Sequence, residues 1–230
     1  MKIRIHRGTN EIGGSCVELA TENTRILIDI GMPLVNKDGS DFKMVTGTAV
    51  DDLVAGGVLP QVEGLYSIAP RMIDAILISH AHMDHFGLIN YSHDTVPKYM
   101  SKATEALINI NTIFTKAACN LVNVNHFEKS VSFKIGDFTI TPYWADHSAF
   151  DAYSFLIQAE GKSVFYSGDF RGHGRKSEVF QWFTHNAPQN IDALLMEGTT
   201  LGRNQKPAIT ESEIERQLVK LFKASNACNL

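Results

Sequence analysis

The sequence contains few cysteines, and no two of them have metal-binding spacing. Cys16, Cys119 and Cys228 are the three cysteines among 230 residues, and none belongs to a CxxC motif. This pattern argues against a disulfide framework and against a thiolate zinc site. We therefore expect a protein of a reducing compartment, the cytoplasm.

Long apolar runs and an excess of basic residues are absent as well. No stretch reaches the roughly 20 apolar residues that cross a bilayer, and the N-terminal MKIRIHRGTNEIGG lacks the apolar segment of a signal peptide. We expect no association with a membrane. The formal net charge of −4 indicates no overall field for nucleic acid, although a local basic channel is compatible with that total.

Short strand patterns alternate with a few helical ones. Apolar alternation and apolar runs predict strands at residues 2–7, 15–20, 25–30, 73–79, 131–133, 138–143, 153–158, 163–167 and 191–196. Helical spacing predicts helices at 103–119, at 177–184 and after a capping box formed by Thr210 and Glu213. Residues 32–70 show no periodicity and are predicted to be a long functional loop. The order favours an α+β fold, an αββα sandwich of two mixed sheets flanked by helices.

The densest chemical signal is the segment ILISHAHMDHFG. It places His80, His82, Asp84 and His85 within six residues, directly after the predicted buried strand 73–79. An irregular turn at a strand end can point all four side chains to one side. Imidazole and carboxylate together suit zinc, manganese or iron. The cluster predicts a metal site.

Two later strand ends carry further candidate ligands. His147 lies in ADHS just beyond a strand, and Asp169 lies in SGDFR at the end of the next buried strand. A carboxylate in that position can bridge two cations about 3.5–4 Å apart, although a turn carboxylate is the simpler explanation of Asp169 alone.

These motifs resemble those of the metallo-β-lactamase fold. HAHMDH is similar to the HxHxDH signature, and Asp29 in ILIDIG, His147 in ADHS and Asp169 in SGDFR resemble the other ordered motifs of that superfamily. The segments GTNEIGGSC, SGDFRGHGR and LLMEGTTLGR resemble the β-CASP branch, whose members include ribonuclease J and the nucleases that cleave mRNA 3′ ends.

The resemblance implies two divalent metals, zinc first and manganese as the alternative. The first metal would be held by His80, His82 and His147. The second would be held by Asp84 and His85, with Asp169 bridging both.

Three carboxylates receive further roles by the same resemblance. Asp84 and Asp169 are the candidates for proton acceptor, and Glu197 would lie beside the scissile phosphate, although it is equally an ordinary strand-end carboxylate. Asp29 would orient the ligand loop from behind the metals.

The sequence departs from the branch at its C-terminal end. The branch supplies further histidines after a helical cassette, and one of them completes the second metal site. We predict an incomplete metallo-β-lactamase domain at 1–207 and the start of a helical β-CASP-like cassette at 208–230. The second metal site is then incomplete within these residues, and activity of the 230 residues alone is an open question.

The implied activity is cleavage of RNA phosphodiester bonds by a metal-activated hydroxide. Arg171, His173 and Arg175 follow Asp169 closely and are candidate phosphate contacts, or else a solvated basic turn. Two alternatives remain open. One is a small-molecule metallo-hydrolase of the same fold, acting on a thioester, lactone or cyclic phosphodiester, and the other is a catalytically incomplete metal-binding module. Trp144 is predicted to belong to the core rather than to a base-stacking surface.

Overall fold

The computed structural model describes residues 1–11, 13–36, 38–44, 47–114, 119–202 and 209–224. The strands in these residues are β1 (Lys2–Arg7), β2 (Cys16–Ala20), β3 (Arg25–Ile28), β4 (Ala75–Leu77), β5 (Lys98–Met100), β6 (Val124–His126), β7 (Phe133–Ile135), β8 (Phe138–Ala145), β9 (Ala152–Ala159), β10 (Lys162–Tyr166) and β11 (Ala193–Leu195). The α-helices are α1 (Val50–Ala55), α2 (Met83–Phe86), α3 (Lys102–Phe114), α4 (Ser177–Asn186) and α5 (Glu211–Ala224).

The strands form two mixed sheets. The first sheet has the order β1-β2-β3-β4-β5-β6, antiparallel from β1 to β3 and parallel from β3 to β6. The second has the order β11-β10-β9-β8-β7, with one parallel pair between β10 and β11. Each parallel segment requires a crossover of chain outside the sheet, and these crossovers hold the helices.

Both faces of the middle of the first sheet, at β2, β3 and β4, are buried, and successive side chains of a strand point to opposite faces. In β3, Ile26 and Ile28 pack between the sheets against residues such as Phe155, while Leu27 packs on the opposite face. Helix α3 covers that opposite face, where Ile108 contacts the core. The continuous apolar runs of β3 and β4 follow from this double burial.

Helix α4 covers the outer face of the second sheet. The ring of Phe183 lies 5.9 Å from that of Phe165, and the ring of Trp182 lies 6.2 Å from that of Tyr143. Helix, sheet, sheet and helix therefore form four layers. The predicted αββα sandwich with two mixed sheets is confirmed.

Residues 32–70 are not only a loop, contrary to the prediction. The described part contains α1, and Leu53, Leu59 and Leu65 are buried in the core on the helix side of the first sheet. The missing periodicity has a physical reason, since outside α1 the segment contributes its buried side chains, such as those of Leu59 and Leu65, from irregular backbone. Strands β5 and β6 were also not predicted, because each has only three residues and their sequences, KYM and VNH, carry no alternation long enough to recognise.

The C-terminal part of the described chain is a single exposed helix. Helix α5 has no buried residue, and the Glu213 backbone N–H donates to Thr210 Oγ1 over 3.2 Å, as the predicted capping box requires. The proposed boundary at 207–208 lies outside the described residues. Cys228 and residues 115–118 of the predicted helix 103–119 lie outside them as well. Cys16 and Cys119 are free thiols. Among the described helices, none combines the length and apolar character needed to cross a bilayer.

Candidate metal centre

The candidate ligands lie where strands of both sheets end. Strand β4 runs into a buried segment that contains Ser79 and His80, and α2 begins after His82. The Tyr153 backbone N–H of the second sheet donates to the Ser79 carbonyl over 3.0 Å, which ties the two sheets together at this point. His147 and Asp169 follow β8 and β10 of the second sheet.

Three histidine nitrogens converge in one place. His82 Nδ1 lies 3.2 Å from His80 Nε2 and 3.1 Å from His147 Nε2. In tetrahedral zinc sites the Zn–N bonds of about 2.0–2.1 Å place ligand nitrogens roughly 3.3 Å apart. The spacing of these three nitrogens therefore fits a tetrahedral metal ion, with a fourth position left for another ligand.

Asp169 lies between this histidine triad and a second group. Its Oδ2 is 3.7 Å from His147 Nε2 and 4.0 Å from His80 Nε2, whereas its Oδ1 is 3.4 Å from His85 Nε2. Asp84 Oδ2 is 3.8 Å from the same His85 nitrogen. Each oxygen of Asp169 thus faces a different group of ligands, the arrangement expected of a bridging carboxylate. His80, His85 and Asp169 also form a metal-compatible group.

Asp29 holds this region from behind. Its carboxylate is fully buried and accepts hydrogen bonds from the Ser79 backbone N–H, the Ser79 hydroxyl, His85 Nδ1 and the Tyr166 hydroxyl at 2.7–2.8 Å. The bond to Nδ1 fixes the proton there and turns Nε2 of His85 towards Asp84 and Asp169. Asp29 has a positive φ of 60°, a conformation that Asp tolerates better than most residues.

Two glycines allow the backbone to approach Asp84. The Asp84 carbonyl accepts a hydrogen bond of 3.0 Å from the Ser15 backbone N–H. A Cβ added to Gly31 would lie 1.6 Å from that carbonyl oxygen, and one added to Gly13 would lie 2.8 Å from Asp84 Cβ. The N-terminal GTNEIGGSC segment therefore packs directly against the turn that carries the ligands.

The two groups of ligands differ in protonation. Burial, with neighbouring histidines, lowers the pKa of His80 well below its usual value, and burial lowers the pKa of His82 and, to about 4, that of His147. Burial also lowers the pKa of His85, but the carboxylates of Asp29 and Asp169 outweigh it and raise that pKa to about 10. The histidine triad is therefore neutral near pH 7, while His85 is an imidazolium in the metal-free chain.

Asp169 is correspondingly ionised. Burial raises the pKa of its carboxyl group, but the hydrogen bond and charge of His85, together with His147, lower it below the usual range. A metal at His85 Nε2 would replace the proton that this pair now shares.

Glu197 follows β11 and borders the same site. Its Oε1 accepts the Phe170 backbone N–H over 2.9 Å, and its own N–H donates to Ser167 Oγ over 3.1 Å. A groove of about 810 Å³ runs past these residues and the glycine-rich segment. Its lining includes Gly8, Thr9, Asp84, His85, Asp169 and Glu197.

The predicted phosphate contacts are engaged with α5. Arg171 Nη1 lies 2.6 Å from Glu211 Oε1, and Arg175 Nη2 lies 2.5 Å from Glu215 Oε2. His173 is exposed, and its carbonyl accepts the Glu211 backbone N–H. The described structure thus brings Arg171 and Arg175 to carboxylates of the last helix rather than to the ligand cluster.

Sequence reasoning missed two partners of Asp29. Ser79 precedes His80, so its position at the end of the buried strand was a usable signal. Tyr166 is distant in sequence, and its contact with Asp29 arises only when the second sheet packs on the first. Asp146, which is buried beside His147 and lies 3.6 Å from Arg171 Nε, was also missed.

Comparison with known proteins places the chain in a family. Residues 48–227 match the model of the β-lactamase superfamily domain. The chain is 28% identical to transcription termination factor FttA of Methanothermobacter thermautotrophicus, over 93% of this chain and 34% of that protein. It is 26% identical to an RNase J-like protein of Methanocaldococcus jannaschii, over 95% of this chain and 47% of that protein.

A solved structure shares the fold. The chain superposes on the crystal structure of a protein of unknown function from Enterococcus faecalis with a TM-score of 0.82 and 24% identity, covering 96% of this chain and 57% of the other. The chain spans between about a third and a half of the length of the two curated relatives.

Proposed function

Because this chain belongs to the metallo-β-lactamase superfamily, we propose that it is a metal-dependent ribonuclease of the β-CASP type that hydrolyses phosphodiester bonds of RNA. The observation that carries the proposal is the convergence of three histidine nitrogens, two of them 3.1 and 3.2 Å from His82 Nδ1, beside a carboxylate that faces a second group of ligands. The names of the relatives, an RNase J-like protein and a termination factor, support RNA as the substrate.

The proposed ligand sets are those that the family resemblance implies. His80, His82 and His147 would hold the first metal, Asp84 and His85 would hold the second, and Asp169 would be shared between the two. Zinc is the proposed metal because the donors are nitrogen and oxygen at tetrahedral spacing, with manganese as the alternative. When bound, such a pair lowers the pKa of water towards neutrality and stabilises charge on phosphoryl oxygens.

Side chains of the protein are proposed to orient the metal ligands and to accept a proton. Asp29 fixes the tautomer of His85 through its hydrogen bond to Nδ1. Asp84 is the proposed proton acceptor, because both oxygens of Asp169 lie within 4.0 Å of histidine nitrogens of the two groups. Glu197, at the edge of the groove, is proposed to line the position of the scissile phosphate.

The domain boundary, the location and the phosphate contacts are also proposals. Residues 1–207 are proposed as the metallo-β-lactamase domain and 208–230 as the start of the helical cassette. The cytoplasmic location rests on cysteine usage. Arg171, His173 and Arg175 contact phosphates only if the carboxylates of α5 release the two arginines.

A second candidate function is hydrolysis of a small molecule such as a thioester, lactone or cyclic phosphodiester. The groove of about 810 Å³ favours it, since ligand pockets for small molecules range over roughly 300–1,000 Å³.

Metal analysis combined with substrate assays separates these candidates. The chain is loaded with zinc or manganese and assayed on single-stranded RNA, a thioester, a lactone and a cyclic dinucleotide. We expect cleavage of RNA, and its loss in His82→Ala and Asp169→Ala but not in His185→Ala, an exposed histidine of α4. Cleavage of a small substrate with intact RNA would contradict the ribonuclease proposal, and metal binding without any turnover would indicate an incomplete module.

A further inference from the structure

Beside the candidate metal centre lies a cluster of aromatic rings and lysines that the proposed chemistry does not use. Trp144 and Phe150 stand three residues before and three residues after His147. Lys176 Nζ lies 5.7 Å from the Trp144 ring centroid and 5.6 Å from that of Phe150. Lys129 Nζ lies 4.3 Å from the Trp144 centroid and 5.5 Å from that of Trp182. We call these residues the aromatic–lysine surface.

The surface is built from three segments of the chain. Lys129 lies in the connection between β6 and β7, Trp144 and Phe150 lie in β8 and the loop after it, and Lys176 and Trp182 lie at the start of α4 and within it. Trp144 packs one side against the core between the sheets, as predicted, and carries an ammonium group on the other. Phe150 is 59% exposed, which is unusual for a phenylalanine and leaves its ring open to a ligand.

Its lysines have no acidic partner in the described part of the chain. Neither Lys129 nor Lys176 has a carboxylate oxygen within 4.0 Å among the described residues. Lys176 Nζ and Trp144 Nε1 are moreover buried donors without a described acceptor. Because Lys176 Nζ is buried near the Trp144 and Phe150 rings, the exposed Lys129 is the lysine of this surface that a ligand can reach.

The other buried polar atoms without a hydrogen bond compensate one another in charge. Within the described residues they are the Asp146 carboxylate oxygens and Arg171 Nε, which face each other at 3.6 Å. Within the described residues, Lys129 and Lys176 thus carry the positive charges of this surface that no carboxylate oxygen approaches within 4.0 Å.

We propose that the aromatic–lysine surface binds a single-stranded nucleic acid, with a base stacked on Phe150 and a phosphate at Lys129. An exposed ring beside a lysine without a carboxylate partner is a combination with which proteins bind single strands, because every base offers a flat face and every linkage a negative charge. The position of the surface beside His147 lets it hold the strand that enters the metal centre. The inference rests on the proposed ribonuclease function.

The test measures binding apart from cleavage. Anisotropy of a fluorescein-labelled ten-nucleotide RNA is titrated with the full chain in EDTA, and cleavage is measured separately with the metal-loaded chain. Phe150→Ala is expected to weaken binding about ten-fold, within the range for loss of one base–aromatic stack, and Phe150→Trp to restore it. Lys129→Ala is expected to reduce the slope of log K against log salt by about 0.7, the value for one phosphate contact.

Matched controls lie elsewhere on the surface. Phe114→Ala removes a phenylalanine that is 83% exposed on α3, and Lys134→Ala removes an exposed lysine of β7. Both are expected to bind RNA like the unmodified chain. The proposal is overturned if Phe150→Ala and Lys129→Ala also bind normally, or if polyphosphate of equal charge competes as well as RNA does.

The same experiment distinguishes the two proposals. RNA that is bound through Phe150 but left intact by the metal-loaded chain contradicts the ribonuclease function and keeps the surface. RNA that is cleaved by a chain whose affinity is insensitive to all of these substitutions contradicts the surface and keeps the function.

Discussion

The histidine triad and the carboxylate side of the candidate metal centre differ in what they need before a metal can bind. His80, His82 and His147 have lowered pKa values, and the Nε2 atoms of His80 and His147 lie 3.2 and 3.1 Å from His82 Nδ1. His85 carries a proton, with its pKa raised to about 10 between Asp29 and Asp169. The same burial thus gives opposite protonation on the two sides, because carboxylates contact only one of them closely. The triad is prepared for a metal, whereas the other side must first lose a proton.

The largest effects should come from removing one ligand on each side. His82→Ala removes the nitrogen that both other triad members approach, so we expect loss of the first metal and a fall in RNA cleavage of more than about 100-fold, the upper range for loss of an outer partner. His85→Ala should lose cleavage as well but retain the metal at the triad. Metal content by plasma mass spectrometry and initial rates measure both effects, with His185→Ala as the control. Equal metal loss in the two variants would erase the difference between the sides.

Removal of the Asp29 charge should affect one side selectively. Asp29→Asn keeps the shape of the side chain but weakens its hold on His85, and we expect affinity for the second metal to fall about 10- to 100-fold while the triad keeps its own. Chelator competition measures the two affinities, and Asp51→Asn, an exposed carboxylate of α1, is the matched control. An equal fall at both metals would indicate that Asp29 supports the whole region rather than His85.

A smaller effect is expected at Glu197. Glu197→Gln keeps the oxygen that accepts the Phe170 N–H but removes the charge beside the proposed phosphate position, so metal content should be unchanged. We expect RNA cleavage to change by roughly ten-fold, the low end for groups outside the ligand set. Steady-state rates and metal analysis on the same preparation check this. Loss of metal would instead assign Glu197 to the metal centre itself.

The smallest expected signal that distinguishes the two sides is the release of protons when zinc binds. At pH 8 the triad histidines are already neutral, since their pKa values are lowered, whereas His85 remains protonated up to about pH 10 in the metal-free chain. The first zinc should therefore release no histidine proton and the second about one, and the second affinity should rise with pH. Calorimetry in two buffers of different ionisation enthalpy measures the count. Release of a proton with the first zinc would contradict the assignment.

Many residues of the candidate metal centre were predicted because they follow the end of a predicted strand. His80 to His85 follow an apolar strand that is buried on both faces, and a dense cluster there has few structural uses. His147 and Asp169 were found in the same way, and the structure brings both to the cluster. These residues were recognisable because each lies at the end of a strand with a clear apolar pattern.

Contacts between distant segments could not be predicted. The hydroxyl of Tyr166 reaches Asp29 only through the packing of one sheet on the other, and no spacing in the sequence encodes that distance. Arg171 and Arg175 appeared available for phosphates because α5, whose Glu211 and Glu215 bind them, follows much later in the chain. Leu53 was assigned to a loop because α1 has only six residues, and Leu59 because irregular backbone buries side chains without a period.

Native mass spectrometry of the chain during a zinc titration tests the unequal pair of metal sites most directly. We predict that one zinc binds at low concentration and is lost in His82→Ala, while a second binds only at higher concentration and is lost in His85→Ala. Absence of bound zinc, or uptake of both ions in a single step that either substitution abolishes equally, would contradict it.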